Sequence, residues 1–182
     1  EVWNEPDGAY MERDETGDQY AAVLKAFSIG AEDSGTNCMV SASGFAFVQD
    51  FFQKSIMQNQ IEPYVDIFNY HVYEKFAEKT KTHTTFASCY QPGWLKCWAS
   101  EVGTSAEETE YSSLREQAER VVQSAVLSVA NGTDKNFWFV FPNYCENNQS
   151  FGLFSEEHTP LPGYSAMATM THAIGSAEYA GK

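Results

Sequence analysis

Asp66-Ile67-Phe68-Asn69-Tyr70-His71-Val72-Tyr73 is the stretch on which the reading of the fold turns. It sits in a run from Tyr64 to Tyr73, rich in β-branched and aromatic residues, that predicts a strand stopping near Glu74. Ile67, Asn69, His71 and Tyr73 share one parity, so they face one side, with His71 and Tyr73 toward the C-terminal end.

Outward from this strand the chain alternates. Upstream, a short strand over Glu1 to Glu5 leads to a helix over Gly17 to Asp33, where Tyr20, Val23, Leu24, Phe27 and Ile29 give an approximate apolar stripe. A strand over Asn37 to Ser43 follows, then Val48, Phe51, Phe52, Ile56 and Met57 at helical spacing, to about Gln60. Downstream, a polar helical or irregular stretch runs to about Gln91 and is broken by Pro92-Gly93. Leu95 to Glu101 reads as the next strand. A long helix from about Glu107 to Ala130 carries Leu114, Ala118, Val121, Val122, Ala125, Val126 and Val129, and Asn131-Gly132 caps it. Asn136 to Phe141 is a nearly continuous apolar run, expected to be covered on both faces. Ser165 to Ile174 forms the last helix.

Five strands alternating with helices build a parallel sheet, either an open doubly wound sheet or part of a closed barrel. No linker or low-complexity tract interrupts the 182 residues, so one domain is expected. Aromatic residues make up 15%, enough to furnish both a core and a stacking surface for a sugar ring. The net charge of -14 repels phosphate backbones and anionic lipid, so neither nucleic acid nor membrane is an expected partner. Cys38, Cys89, Cys97 and Cys145 form no C-x-x-C pair, so a zinc site is not expected. Isolated buried thiols are the plain reading, with a Cys89–Cys97 disulfide left open. Asn131-Gly132-Thr133 and Asn148-Gln149-Ser150 match the N-glycosylation pattern and lean toward an exported protein.

The chemistry lies at the strand ends. In parallel α/β folds, functional side chains gather where the loops leave the C-terminal ends of the strands. Glu5 ends the first strand, in Val2-Trp3-Asn4-Glu5-Pro6, and Glu101 ends the fourth, in Trp98-Ala99-Ser100-Glu101-Val102-Gly103. Two carboxylates on one rim suit glycosidic cleavage, where one protonates the leaving oxygen and the other attacks the anomeric centre. Tyr73 is placed to donate to a carboxylate, and His71 to contact ligand. Phe141 and Tyr144, in Phe141-Pro142-Asn143-Tyr144, are candidate stacking platforms. Trp98, of parity opposite to Glu101, is expected to pack. Glu156-Glu157-His158 reads as a solvated loop, so no metal or cofactor is expected.

Trp3-Asn4-Glu5-Pro6 resembles the strand-four signature of the clan A glycoside hydrolases. Asp66 to Tyr73 resembles their strand-six His-x-Tyr segment, and Trp98 to Gly103 the strand-seven segment. Gly152-Leu153-Phe154, Pro160, Pro162 and the Ala-rich helix resemble the region after strand eight. The match is in order along the chain, and families 39 and 5 are nearest. It implies a partial (β/α)8 TIM barrel, strands four to eight, hydrolysing glycosidic bonds with retention. Glu5 would be the acid/base, Glu101 the nucleophile and Asn4 a ligand of the sugar 2-hydroxyl, with an oligosaccharide or glycoside as substrate. Residues 1–182 would then be the C-terminal portion of one catalytic barrel. Strands one to three would be missing, with the Arg and His residues they contribute, and that N-terminal half would be the chain's own partner. Alone, such a piece is expected to be weakly stable or self-associating, and inactive. Strand eight also lacks a Trp at its tip, leaving Phe141 or Tyr144 to substitute. The competing reading is a non-catalytic carbohydrate-binding protein on a decayed barrel. An open-sheet transferase ranks below it, for want of a Gly-rich phosphate loop.

Overall fold

The computed structural model describes residues 1–8, 16–47, 50–90, 95–147, 149–178 and 180. Helix α1 (Gly17–Asp33) precedes strand β1 (Ser41–Phe45), and α2 (Asp50–Gln58) leads through a 3-10 turn at Glu62–Tyr64 to β2 (Ile67–Val72). Then come α3 (Phe76–Tyr90), β3 (Lys96–Val102), α4 (Tyr111–Ala130), β4 (Lys135–Trp138), the short strands β5 (Cys145–Glu146) and β6 (Gln149–Ser150), and α5 (Pro162–Ile174). Strands β1 to β4 pair in parallel and in sequence order, with a helix in each connection. An open doubly wound sheet reverses its strand order at a switch point. This one does not, which is the arrangement of a barrel wall. Among the described residues, no helix is long and apolar enough to cross a membrane.

The first expected strand contracts to a single parallel bridge, Asn4 to Gly44, beside β1. Trp3 and Glu5 have φ of 68° and 41°, left-handed values that break an extended ladder. The Val2 N–H still donates to the Ser41 carbonyl at 3.1 Å, and side chains hold the rest of the segment. The Tyr20 hydroxyl donates to the Val2 carbonyl at 3.0 Å and accepts from the Ser43 N–H at 2.6 Å. Within α1, Tyr20 and Leu24 are buried, whereas Val23, Phe27 and Ile29 of the expected stripe are exposed.

Strands β1 and β2 are buried along their whole length, as parallel strands covered on two faces are. Strand β4 is not. It is shorter than expected, stops at Trp138, and alternates exposed with half-buried residues because it ends the strand order. Helix α4 also differs. Its buried row is Leu114, Gln117, Val121, Ser124 and Ser128, while Val126 and Val129 face outward. The small and polar residues lie where neighbouring chain comes close, and Ser128 Oγ accepts from Asn136 Nδ2 of β4 at 2.8 Å. Cys97 is buried as expected, but Cys38 and Cys145 are exposed, and the side chain of Cys89 lies outside the described residues. Of the two glycosylation triplets, Asn148 lies outside the described residues. Thr133 is buried with its hydroxyl 2.5 Å from that of Tyr70.

His83 stacks on Tyr70 at 4.7 Å beneath β2. Burial drives its pKa down to about 3. The unfolded chain therefore takes up a proton near the ordinary value of 6.5 while the folded chain refuses it until about 3, and stability falls as pH drops through that window. His83→Phe keeps the stacking and is expected to remove this share of acid sensitivity, by up to about 1.4 kcal/mol per pH unit. Urea unfolding at several pH values across the window tests it, and parallel losses in both proteins would refute it.

Candidate active site

Glu5, His71, Tyr73 and Glu101 meet at the C-terminal ends of β2 and β3, beside the Asn4 bridge. A bulge makes this meeting work. Tyr70 pairs with Ala99, but the next residue, His71, pairs with Glu101, so β3 carries Ser100 as an extra residue. Regular alternation would set Glu101 across from Val72 on the opposite face. The extra residue re-aims it, and both Ser100 and Glu101 reach the face that His71 and Tyr73 share.

His71 is buried at 2% exposure and lies between the two glutamates. Its Nδ1 is 2.7 Å from Glu5 Oε1 and 3.5 Å from Glu101 Oε2, and its Nε2 is 3.1 Å from Ser100 Oγ. One carboxylate oxygen from each glutamate and a ring nitrogen of His71 all lie within 4.8 Å of one another, a set that could also hold a metal ion. The Tyr73 hydroxyl donates to Glu101 Oε2 in a short hydrogen bond. Burial, then the bond to Glu101, raises the Tyr73 pKa far above its ordinary value, so this hydroxyl remains a donor at any pH the protein tolerates. Gly44 of β1 makes the room: a Cβ there would sit 2.7 Å from His71 Cε1 and nearer still to Nε2 and Cδ2.

The turn Glu5-Pro6-Asp7-Gly8 closes with the Gly8 N–H donating to the Glu5 carbonyl at 2.9 Å. Asp7 anchors it, accepting from the N–H groups of Ala46 and Phe47 at 3.0 and 2.8 Å and from Gln53 Nε2 at 3.0 Å. Burial pushes the Asp7 carboxyl up to about 6 despite these donors.

These groups open onto a cleft of about 480 Å³ that Asn4, Glu5, His71, Tyr73, Glu101 and Tyr144 help to line. Phe141 is not in the cleft. Its carbonyl accepts from the Leu153 N–H at 3.2 Å, and its ring packs 5.1 Å from Phe154 and 5.8 Å from Tyr164. Phe151 takes the wall instead, edge-on to Tyr73 at 5.8 Å, and Phe47 lines the cleft nearer Glu5. Lys79, Glu146 and Asn147 also line it. No motif or periodicity announces these residues, because they reach the cleft from just after β1, from α3 and from in and around the β5–β6 pair. Trp98 packs as expected, beneath Lys135 at 4.5 Å and beside Phe137. The loop Glu156-Glu157-His158 is exposed, with Ser155 Oγ donating to Glu157 at 2.9 Å.

No family model matches this chain, and no curated protein does. Solved structures do. A family 39 glycoside hydrolase from the gut symbiont Bacteroides cellulosilyticus superposes with a TM-score of 0.71 at 18% identity, covering 92% of this chain and 39% of that one. The fold is part of a (β/α)8 barrel. A family 128 (subgroup I) endo-β-1,3-glucanase from Amycolatopsis mediterranei, in complex with laminaritriose, matches this partial barrel at a TM-score of 0.61 and 19% identity, over 92% of this chain and 70% of that one. A family 128 (subgroup VII) oligosaccharide-binding protein from Trichoderma gamsii matches it at 0.66 and 10%, over 95% and 67%. The chain thus spans about two fifths of the length of the family 39 protein. Family 39 agrees with the resemblance read from sequence, and family 128 adds to it.

Proposed function

We propose that this chain carries the catalytic centre of a retaining glycoside hydrolase, with Glu5 as acid/base and Glu101 as nucleophile, and that it is the C-terminal portion of a longer barrel. The observation that carries the reading is the carboxylate spacing. Oxygens of Glu5 and Glu101 come within 4.8 Å. Retaining enzymes hold their carboxyl groups about 5–5.5 Å apart, whereas inverting ones leave about 6.5–9.5 Å for a water.

In the first step Glu101 attacks the anomeric carbon while Glu5 gives its proton to the leaving oxygen, forming a glycosyl ester on Glu101. In the second step Glu5 takes a proton from water, which attacks the same carbon and frees Glu101. Tyr73 supports the nucleophile's role. Its hydroxyl donates to Oε2 and keeps the Glu101 carboxylate oriented. Tyr144 and Phe151 suit the apolar face of a pyranose ring. A substrate of the neutral β-glucan or β-xyloside class fits the cleft's carboxylates better than an acidic sugar.

The full protein is expected to release nitrophenolate from 4-nitrophenyl β-glucoside or β-xyloside, with the β-anomer formed first by NMR. An α-anomer formed first would overturn retention. Binding of laminaritriose without turnover of any of the three would favour the carbohydrate-binding reading, for which the Trichoderma protein is the precedent.

A further inference from the structure

We propose that Asn69 and Ser100 are positioning residues that hold His71 in a single tautomer, its Nδ1–H aimed at Glu5. The inference rests on the reading of Glu5 as proton donor for its consequence, and on hydrogen-bond logic alone for its substance.

The logic starts at the backbone. Asn69 Oδ1 accepts from the N–H groups of Tyr70 at 2.9 Å and Ser100 at 3.0 Å. Both are obligate donors, so this atom is the amide oxygen and the other is the NH2. That NH2 donates to Ser100 Oγ at 2.7 Å. The serine hydroxyl must then place its own proton elsewhere. Asn69 Nδ2 has no lone pair to receive it, but His71 Nε2, at 3.1 Å, does. A ring that accepts at Nε2 carries its proton at Nδ1 when neutral. Nδ1–H therefore points at Glu5 Oε1, 2.7 Å away.

The groups around the ring agree with this polarity. Glu101 Oε2 lies 3.5 Å from Nδ1, on the protonated side. Glu1 Oε1 lies 3.9 Å from Nε2 and is engaged elsewhere, accepting from the Gly44 N–H at 2.7 Å. Gly44 leaves the Nε2 edge of the ring its room on the β1 side, where a Cβ would overlap it.

The tautomer matters for proton delivery. With Nδ1–H bonded to Oε1, the transferable proton of Glu5 is confined to Oε2. In the other tautomer the Nδ1 lone pair would face Glu5 and draw that proton into a bond with His71, away from the leaving oxygen. The bulge at Ser100 thus has two uses, re-aiming Glu101 and presenting a hydroxyl to His71.

The test uses ring 15N chemical shifts of the full chain at a pH where His71 is neutral, assigned by substitution. In the wild type, Nδ1 is expected to be pyrrole-like and Nε2 pyridine-like. Asn69→Asp keeps shape and both backbone contacts, but its second oxygen accepts the Ser100 proton instead of donating to Oγ. The proton is then expected to appear on Nε2, with kcat/KM on 4-nitrophenyl β-glucoside or β-xyloside falling about 10–100-fold and KM little changed. Ser100→Ala should lose the tautomer preference, and Ser100→Thr, which keeps the hydroxyl, should restore it. A wild-type ring protonated at Nε2, or at both nitrogens, overturns the inference, as does an unchanged Nδ1–H in Asn69→Asp. The expected tautomer in a wild type that hydrolyses neither glycoside supports the relay and removes the functional reading alone.

Discussion

Glu101→Ala in the full protein is expected to abolish turnover of aryl β-glycosides, leaving background hydrolysis. The loss follows from the proposed two-step reaction, in which, without the carboxylate, no glycosyl ester would form and the anomeric carbon would have no attacking group. Glu5→Gln should behave differently. It removes a proton carrier, worth about 10²–10⁴-fold in general acid–base catalysis, and its effect should shrink for substrates whose leaving group needs no protonation. Azide separates the roles further. In Glu101→Ala it can enter from the vacated face and give an inverted glycosyl azide, whereas in Glu5→Gln it attacks the ester on Glu101 and gives a retained one. Near-normal rates in Glu101→Ala, or retained azide product from it, would defeat the assignment.

Gly44→Ala should cost both activity and stability. The added Cβ would meet the His71 ring at Cε1, Nε2 and Cδ2, and the ring, almost fully buried among β1, β2 and β3, could yield only toward the cleft it borders. Overpacking of this kind destabilises by about 1–3 kcal/mol, and the relief available, expulsion of His71, would break its bonds to both Glu5 and Ser100. Loss of activity is therefore expected together with a lower urea midpoint. Gly30→Ala is the matching control. It sits inside α1, where an added methyl would meet nothing within 4 Å, and alanine there should stabilise by up to about 1 kcal/mol. Equal effects of the two changes would show that the contact at His71 is not what Gly44 preserves.

Much of this was legible in the sequence for physical reasons. Long periodic segments such as Gly17–Asp33 have strong local signals, and the helix begins and ends where its pattern does. Polar residues at the ends of apolar strands stand out, so Glu5, His71, Tyr73 and Glu101 could be named before their geometry was known. The rest depends on the third dimension. The Glu1–Glu5 strand is broken by two left-handed residues that carry no glycine to announce them. The row buried in α4 mixes Leu114 and Val121 with Gln117, Ser124 and Ser128, because closely approaching chain as well as apolar transfer decides that face. Phe141 and Phe151 have the same chemistry, and which one meets the cleft is set by a backbone bond from Leu153, not by type. Asn69 and Ser100 lay inside the quoted segments, yet their bond could not be foreseen without the irregular pairing of β2 with β3.

That irregular pairing has an evolutionary consequence. A barrel's loops can lengthen or shorten at little harm to its chemistry. Between Ala99 and Val102, however, the residue count itself is the specification. Removing Ser100 would turn the Glu101 side chain from the cleft toward the opposite face of the sheet, although the glutamate itself survived. Relatives of this chain can therefore drift far in composition around β3, but in-frame indels within it should be purged.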